Sequence, residues 1–339
     1  MRATGMIRTA AIAIVLGLAI AACGDDDPVA VDTDDGGAAD AQGGAGPDDG
    51  VFPVEVEHAL GVTEVPAEPE RVVTVGVTDW YGDQPYATWP WAQDELGAAQ
   101  PEVLTAVDGL QFERIAALEP DLIIGTNAGL DEASYELLSD IAPTIAHPAD
   151  APLYFSPWDD QARLIGQALG REEQMDDVIT DIEEQFAAAA AAHPEFADAS
   201  VVFLQNAFYD GQAIAYQEGL GTEFLTQLGF SIPAELDGFQ AEDGQAYLPL
   251  EQLDVLDVAD VLIWGTESPA DRTALESESV YTALEEVREG RLVFTDGLTA
   301  GAIYFTSPLS LPFVIDQIVP PLAATLAGEG PVEITSPAP

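Results

Sequence analysis

The side chains in this sequence best suited to a chemical task are aromatic. The stretch DWYGDQPYATWPWAQ carries Trp80, Tyr81, Tyr86, Trp89 and Trp91 between turn-forming residues, where no periodic pattern demands a core role. Further rings stand near the ends of apolar runs, among them Tyr209, Tyr216, Phe239, Tyr247, Trp264 and Tyr304. Rings with an occasional polar handle make an apolar, rigid surface that suits a bulky organic molecule. Groups for making and breaking bonds are missing by comparison. There is no Gly-x-Ser-x-Gly elbow, no Gly-x-x-x-x-Gly-Lys loop and no Gly-x-Gly-x-x-Gly turn. His58, His147 and His193 are scattered, so they read as surface or cap residues and not as a transition-metal site. Acidic pairs such as Asp159-Asp160 and Glu183-Glu184 read as solvated faces. The expectation is binding without catalysis, with no catalytic residue, no protein-held metal and no cofactor.

Charge narrows the partners. The 339 residues hold 61 acidic side chains against nine basic ones, all arginine, for a formal net charge of −52. Such a surface repels phosphate backbones and excludes nucleic acid as a partner. A cleft built here also has few cations to offer. Most arginines fall in the leader, at a strand start or on helices, which leaves Arg272, after WGTESPAD, as the free candidate for a polar ligand contact.

The N-terminus has the pattern of an export signal. Arg2 and Arg8 precede an apolar run from Ala10 to Ala22 that is short for a membrane span. The run ends in Ile20-Ala21-Ala22-Cys23, and Cys23 is the only cysteine in the chain. The tetrad resembles a bacterial lipobox, which implies a signal peptide over 1–22, a lipidated Cys23 and an extracytoplasmic protein anchored to the cell membrane. Two or more acyl chains anchor stably where one does not. With Cys23 acylated no thiol remains for a disulfide, so the fold must rest on its core. Residues 23–50, mostly Asp, Gly and Ala, read as a flexible acidic tether with a reach of roughly 30 Å.

Behind the rings lie the elements that must position them. RVVTVGV and EPDLIIGT read as buried strands, separated by the helical LQFERIAALEP, and this alternation predicts a parallel α/β lobe over 51–157. Residues 158–193 have helical periodicity, broken near Gly170, and the Ala-rich second part predicts a long stiff helix. Alternation resumes in SVVFLQ, AIAYQ, LPLEQLDVLDVADVLIWGT and YTALEEVREGRLVFTDG, predicting a second α/β lobe over 194–330 and a tail over 331–339. Two lobes flanking a helical segment place a groove between them, a common seat for ligands.

VPAEPERVVTVG, FERIAALEPDLIIG, LPLEQLDVLDVADVLIW, LEEVREGRLVFTDG and TSPLSLPFVIDQIVPPL, in this order between about Glu64 and Leu326, resemble the substrate-binding proteins of iron-siderophore and cobalamin ABC importers. The resemblance implies two Rossmann-like lobes bridged by one long α-helix, the class III periplasmic-binding-protein architecture, with little hinge closure. It implies a monomer that binds a ferric siderophore, holds iron only as part of that ligand, and delivers it to an ABC permease. By the family pattern, Glu113 and Glu251 are the carboxylates that dock to permease arginines. The ligand-binding candidates are Trp80, Tyr81, Trp89, Trp91, Tyr216, Phe239, Trp264, Arg272 and Tyr304. Scarce cations disfavour a multiply anionic ferric tris-catecholate and favour a near-neutral or cationic ferric hydroxamate. Alternatives are another bulky ligand such as a corrinoid or haem, an exported enzyme on the same scaffold, and a surface scavenger without a transporter. One departure stands out: only Val77, Thr78 and Asp79 separate VVTVG from Trp80, where relatives place a helix and a strand, so the first lobe is expected to be shortened.

Overall fold

A computed structural model describes residues 51–76, 88–104, 109–241 and 244–336. Cys23, Trp80 and Tyr81 lie outside them, as does the stretch 77–87 next to the expected shortening.

The first lobe opens with an antiparallel hairpin, β1 (Val54–His58) and β2 (Gly61–Val65). A parallel sheet follows, formed by β3 (Val72–Thr74), β4 (Leu122–Ile124) and β5 (Thr144–Ile145), with helices α1 (Phe112–Ala117) before β4 and α2 (Glu132–Ser139) before β5. Its two cores lie on opposite faces of β4: Leu122 and Ile124 pack with Val56 and Val65 of the hairpin, whereas Ile123 packs with Ile115 and Leu138.

Two histidines depart from their expected place at the surface. His58 and His147 are buried, and desolvation followed by their mutual repulsion holds His58 below the ordinary imidazole range. Leu60 N–H donates to His58 Nδ1 (3.2 Å), so Nε2 carries the proton and donates to Thr63 Oγ1 (2.9 Å); Thr63 in turn donates to the carbonyl of Thr144 (2.8 Å). This chain of bonds ties the hairpin to β5 and satisfies groups that are costly to bury unpaired.

Two helices follow the first lobe, α3 (Trp158–Ala168) and α4 (Glu172–Ala192). The break between them is made by Gly170, whose φ of +65° suits glycine; Arg171 N–H reaches the Gly166 carbonyl (2.7 Å) and Gly170 N–H that of Gln167 (3.0 Å), closing the helix end. The bridge is the shorter helix. Trp158 and Ala162 of α3 join the second lobe's core, while Leu164 and Ala168 join the first lobe's. The longer α4 buries Met175, Ile179, Ile182 and Phe186 in the second lobe alone, which corrects the expectation that the longest helix is the rod between lobes.

The second lobe contains β6 (Val201–Gln205), β7 (Gln212–Tyr216), α5 (Glu223–Gln227), β8 (Ala246–Pro249), β9 (Val261–Gly265), α6 (Pro269–Ser277), α7 (Glu285–Glu289), β10 (Leu292–Phe294), α8 (Gly297–Tyr304), α9 (Leu311–Leu326) and β11 (Val332–Glu333). Its sheet runs in the order β11-β10-β9-β6-β7-β8; the first four are parallel and β7 and β8 are antiparallel additions. Because helices or 3₁₀ turns cover both faces, β6 and β9 are apolar at consecutive positions, with odd and even residues going to opposite cores. The expected tail is part of this sheet up to Ser336. Val332 and Glu333 pair with β10, Ile334 is buried, and the Ser336 N–H and hydroxyl donate to Asp296 (2.5 and 3.0 Å).

The lobes repeat one local construction. Asp121, just before β4, accepts from the N–H groups of Glu70 and Arg71 (both 2.9 Å) that lead into β3. Asp260, just before β9, accepts from Ser200 N–H and its hydroxyl (both 2.8 Å) that lead into β6. In each case a parallel neighbour is fastened at its start, and the strand ends in Gly-Thr, at 125–126 and 265–266.

Candidate functional site

At the carboxyl ends of β4 and β6 lies a small pocket that opens to solvent; the roughly 430 Å³ of space around it includes the solvent outside its mouth. Strand carboxyl ends are where open α/β sheets usually receive ligands. The first lobe contributes Asn127, the crossing segment and α3 contribute Phe155, Ser156, Trp158 and Gln161, and the second lobe contributes the remaining wall.

Four rings form the floor. Phe203 points to the cavity side of β6 by the two-residue alternation that sends Val202 and Leu204 to the other core. Tyr216 closes β7 on the same side and meets Phe203 at 5.2 Å between ring centres; Phe155 approaches Tyr216 edge-on at 5.7 Å, and Tyr304 lies 6.2 Å away. Their hydroxyls are committed to the scaffold. Tyr216 donates to Gln205 Oε1 (3.1 Å), and Tyr304 donates to the Gly265 carbonyl (3.0 Å) while accepting from Asn206 N–H (3.1 Å). Gly265 is required here, because a Cβ would collide with the Tyr304 hydroxyl. Rings locked in this way offer apolar surface at little further entropic cost on binding.

The polar complement is mostly neutral: Asn127, Ser156, Gln161 and Thr306. Among the described lining residues the one carboxyl is Glu223, and none is an arginine or histidine. Burial raises the Glu223 pKa above the ordinary range, Asp159 adds repulsion, and backbone N–H groups at Glu223 and Gly221 partly oppose both. Its Oε1 is buried without a hydrogen-bond partner among the described residues, as is the indole nitrogen of Trp158.

Of the candidates read from sequence, Tyr216 and Tyr304 line this cavity. Trp89 and Trp91 lie beside it and not in its lining. They stack at 5.0 Å and 8°, with Trp89 against Phe305 and Trp91 against Phe313, so they clamp the 89–92 segment onto α8 and α9. Trp264 is displaced by parity: as an even residue of β9 it faces the opposite core, is fully buried, and packs on Phe208 and Tyr281. Phe239 packs against that same core. Arg272 is not free. It pairs with Glu276 (2.9 Å) and Glu333 (2.8 Å) and lies 4.7 Å over the Phe294 ring. Phe155, Trp158, Phe203 and Glu223 are lining residues absent from the sequence candidates: Phe203 sits in an apolar strand pattern, Trp158 at a helix start, Phe155 in the loop before it, and Glu223 is one acid among many.

Glu113 and Glu251 are both exposed and occupy matching places, in the first turn of α1 before β4 and of the 3₁₀ stretch Leu250–Val258 before β9. Among the described residues no group of His, Cys, Asp and Glu could hold a metal ion, and no helix is long and apolar enough to cross a membrane.

Comparison with known proteins places these features in context. Residues 66–298 match the family model described as periplasmic binding protein. A Bacillus subtilis chain named as an ABC transporter substrate-binding lipoprotein, YhfQ, is 29% identical over 72% of this chain and 81% of its own. A periplasmic solute binding protein from Mycobacterium smegmatis superposes with a TM-score of 0.73 at 42% identity, covering 80% of this chain and 98% of that one. PiaA of Streptococcus pneumoniae, solved in complex with ferrichrome, gives 0.67 at 23% identity over 81% and 99%.

Proposed function

This chain belongs to the periplasmic binding protein family and has an ABC-transporter substrate-binding role, and from that premise we propose that its ligand is a ferric siderophore of the hydroxamate type. The protein would be held outside the cytoplasm by lipid on Cys23 and would hand its ligand to a permease through Glu113 and Glu251. The observation that carries the ligand reading is the cavity's composition: among its described lining residues there is a floor of four rings, neutral polar walls and a single carboxyl, with no cationic side chain. A ferric tris-catecholate bears several negative charges and would meet a carboxylate in a poorly solvated site, whereas a ferric tris-hydroxamate core is neutral. Several relatives of the same fold support a siderophore, since PiaA was solved with ferrichrome and a Thermobifida fusca neighbour is described as a siderophore periplasmic binding protein. A chelate of this bulk rests on the ring floor at the cavity mouth, between Phe155 and Trp158 of the crossing segment and Tyr304 of α8.

Tryptophan fluorescence tests this reading, because Trp158 lines the cavity while Trp264 is buried on the far side of the sheet. A ferrioxamine-type ligand should quench emission at micromolar concentration, and Trp158→Phe should reduce that quenching, with Trp89 and Trp91 beside the cavity contributing the rest. Tighter binding of a ferric tris-catecholate would overturn the hydroxamate assignment.

A further inference from the structure

One oxygen of the carboxyl in the cavity wall, Glu223 Oε1, has no hydrogen-bond partner among the described residues. Glu223 begins α5, and the next two residues, Phe224 and Leu225, are buried in the second lobe's core, which fixes where the Glu223 stem leaves the backbone. Its Oε1 is shielded from solvent and has no donor among the described residues. Arg163, on α3, is turned to Asp159 (2.6 Å), Asp160 (3.4 Å) and Asp176 (3.9 Å). Asp159 adds negative potential at Glu223. A buried acceptor left without a partner is destabilising whether the group is charged or neutral, and the deficit is removed when a donor arrives. The neighbouring lining residues supply neutral dipoles only, so an incoming cation finds one dominant attractor.

We propose that Glu223 is a specificity-determining residue that selects ligands carrying a positively charged group, an ammonium or similar cation, which pairs with its carboxylate while the chelate rests on the rings. This rests on the siderophore reading above and adds to it the charge of the ligand's periphery. It also gives a physical reason for one acid among otherwise neutral described lining residues. Ligands with the same metal-binding core but an uncharged periphery should leave the carboxylate without a counter-charge and bind more weakly.

Two probes separate core from charge: ferrioxamine B, whose chain ends in a free ammonium, and its N-acetyl derivative, which has the same hydroxamate core and no charge there. The full chain should bind the ammonium form about tenfold more tightly, as expected for a hydrogen bond between charged groups out of bulk water. Glu223→Gln should weaken the ammonium form to the level of the acetylated one and leave the acetylated form within about twofold, which also verifies that the variant is folded. Equal affinity of the unsubstituted chain for both probes, or a preference that survives Glu223→Gln, would overturn the role of Glu223 and leave the siderophore reading standing. Failure of both probes to bind the unsubstituted chain would overturn the two together.

Discussion

Reversing charge at both Glu113 and Glu251, as Glu113→Arg with Glu251→Arg, is expected to abolish uptake through the permease and to leave ligand affinity within about twofold. The two carboxylates are exposed, each in the first turn of a short helix that leads into a parallel strand, and each strand is fastened by an aspartate to the start of its neighbour. Repetition of the local construction gives each lobe one carboxylate in an equivalent setting, and two separated charges fix orientation as well as attraction. A single exposed ion pair is worth little, but placing like charges against a partner's arginines costs several kcal/mol. Single reversals should therefore reduce uptake by roughly tenfold and the double reversal by far more than either. Neither residue is in the cavity lining, so affinity measured in parallel separates docking from binding. Undiminished uptake by the double variant would remove these residues from the docking surface.

The second large effect belongs to the ring floor. Tyr216 touches Phe155, Phe203 and Tyr304, and Tyr216→Ala is expected to weaken a ferric hydroxamate by about 30-fold, equivalent to about 2 kcal/mol, in the range of a buried aromatic anchor. The same ring is 6% exposed and also fills the core, so the variant loses about 3 kcal/mol of stability and must be assayed well below its unfolding temperature. Tyr216→Phe separates the two roles. It keeps the ring, gives up the bond to Gln205, and should bind within about threefold of the unsubstituted chain. Binding by the alanine variant at full affinity would show that the chelate does not rest on this floor.

How much of this was legible beforehand follows from how many cues each residue carries. Buried parallel strands leave a strong trace, because VVFLQ and VLIWG are apolar at consecutive positions, and Gly170 marks the end of α3 as a glycine at a helix terminus should. That same continuity hides which face a strand residue takes. Trp264 reads as a strand-end aromatic, and only the register with β6 and β10 sends it to the core away from the cavity, while Phe203 goes the other way. Arg272 reads as a free cation because its partner Glu333 lies 61 residues away on a strand too short to recognise. The acidic composition that ruled out nucleic acid also concealed Glu223, which differs from the other carboxylates only in where the fold places it. The bridging role passed from α4 to α3 for a related reason: helix propensity measures stiffness, and the cores a helix touches are settled by tertiary packing.

The proposed function requires that the ring-floored cavity hold an iron chelate without altering it. Native mass spectrometry of the chain purified from iron-starved cells of its own source weighs any such guest directly. The account predicts a bound species whose mass excess matches a ferric hydroxamate bearing a cationic group, recovered chemically unchanged on release. A retained guest without iron, such as a corrinoid, or a chain that remains unliganded after exposure to spent iron-starved medium, would contradict it.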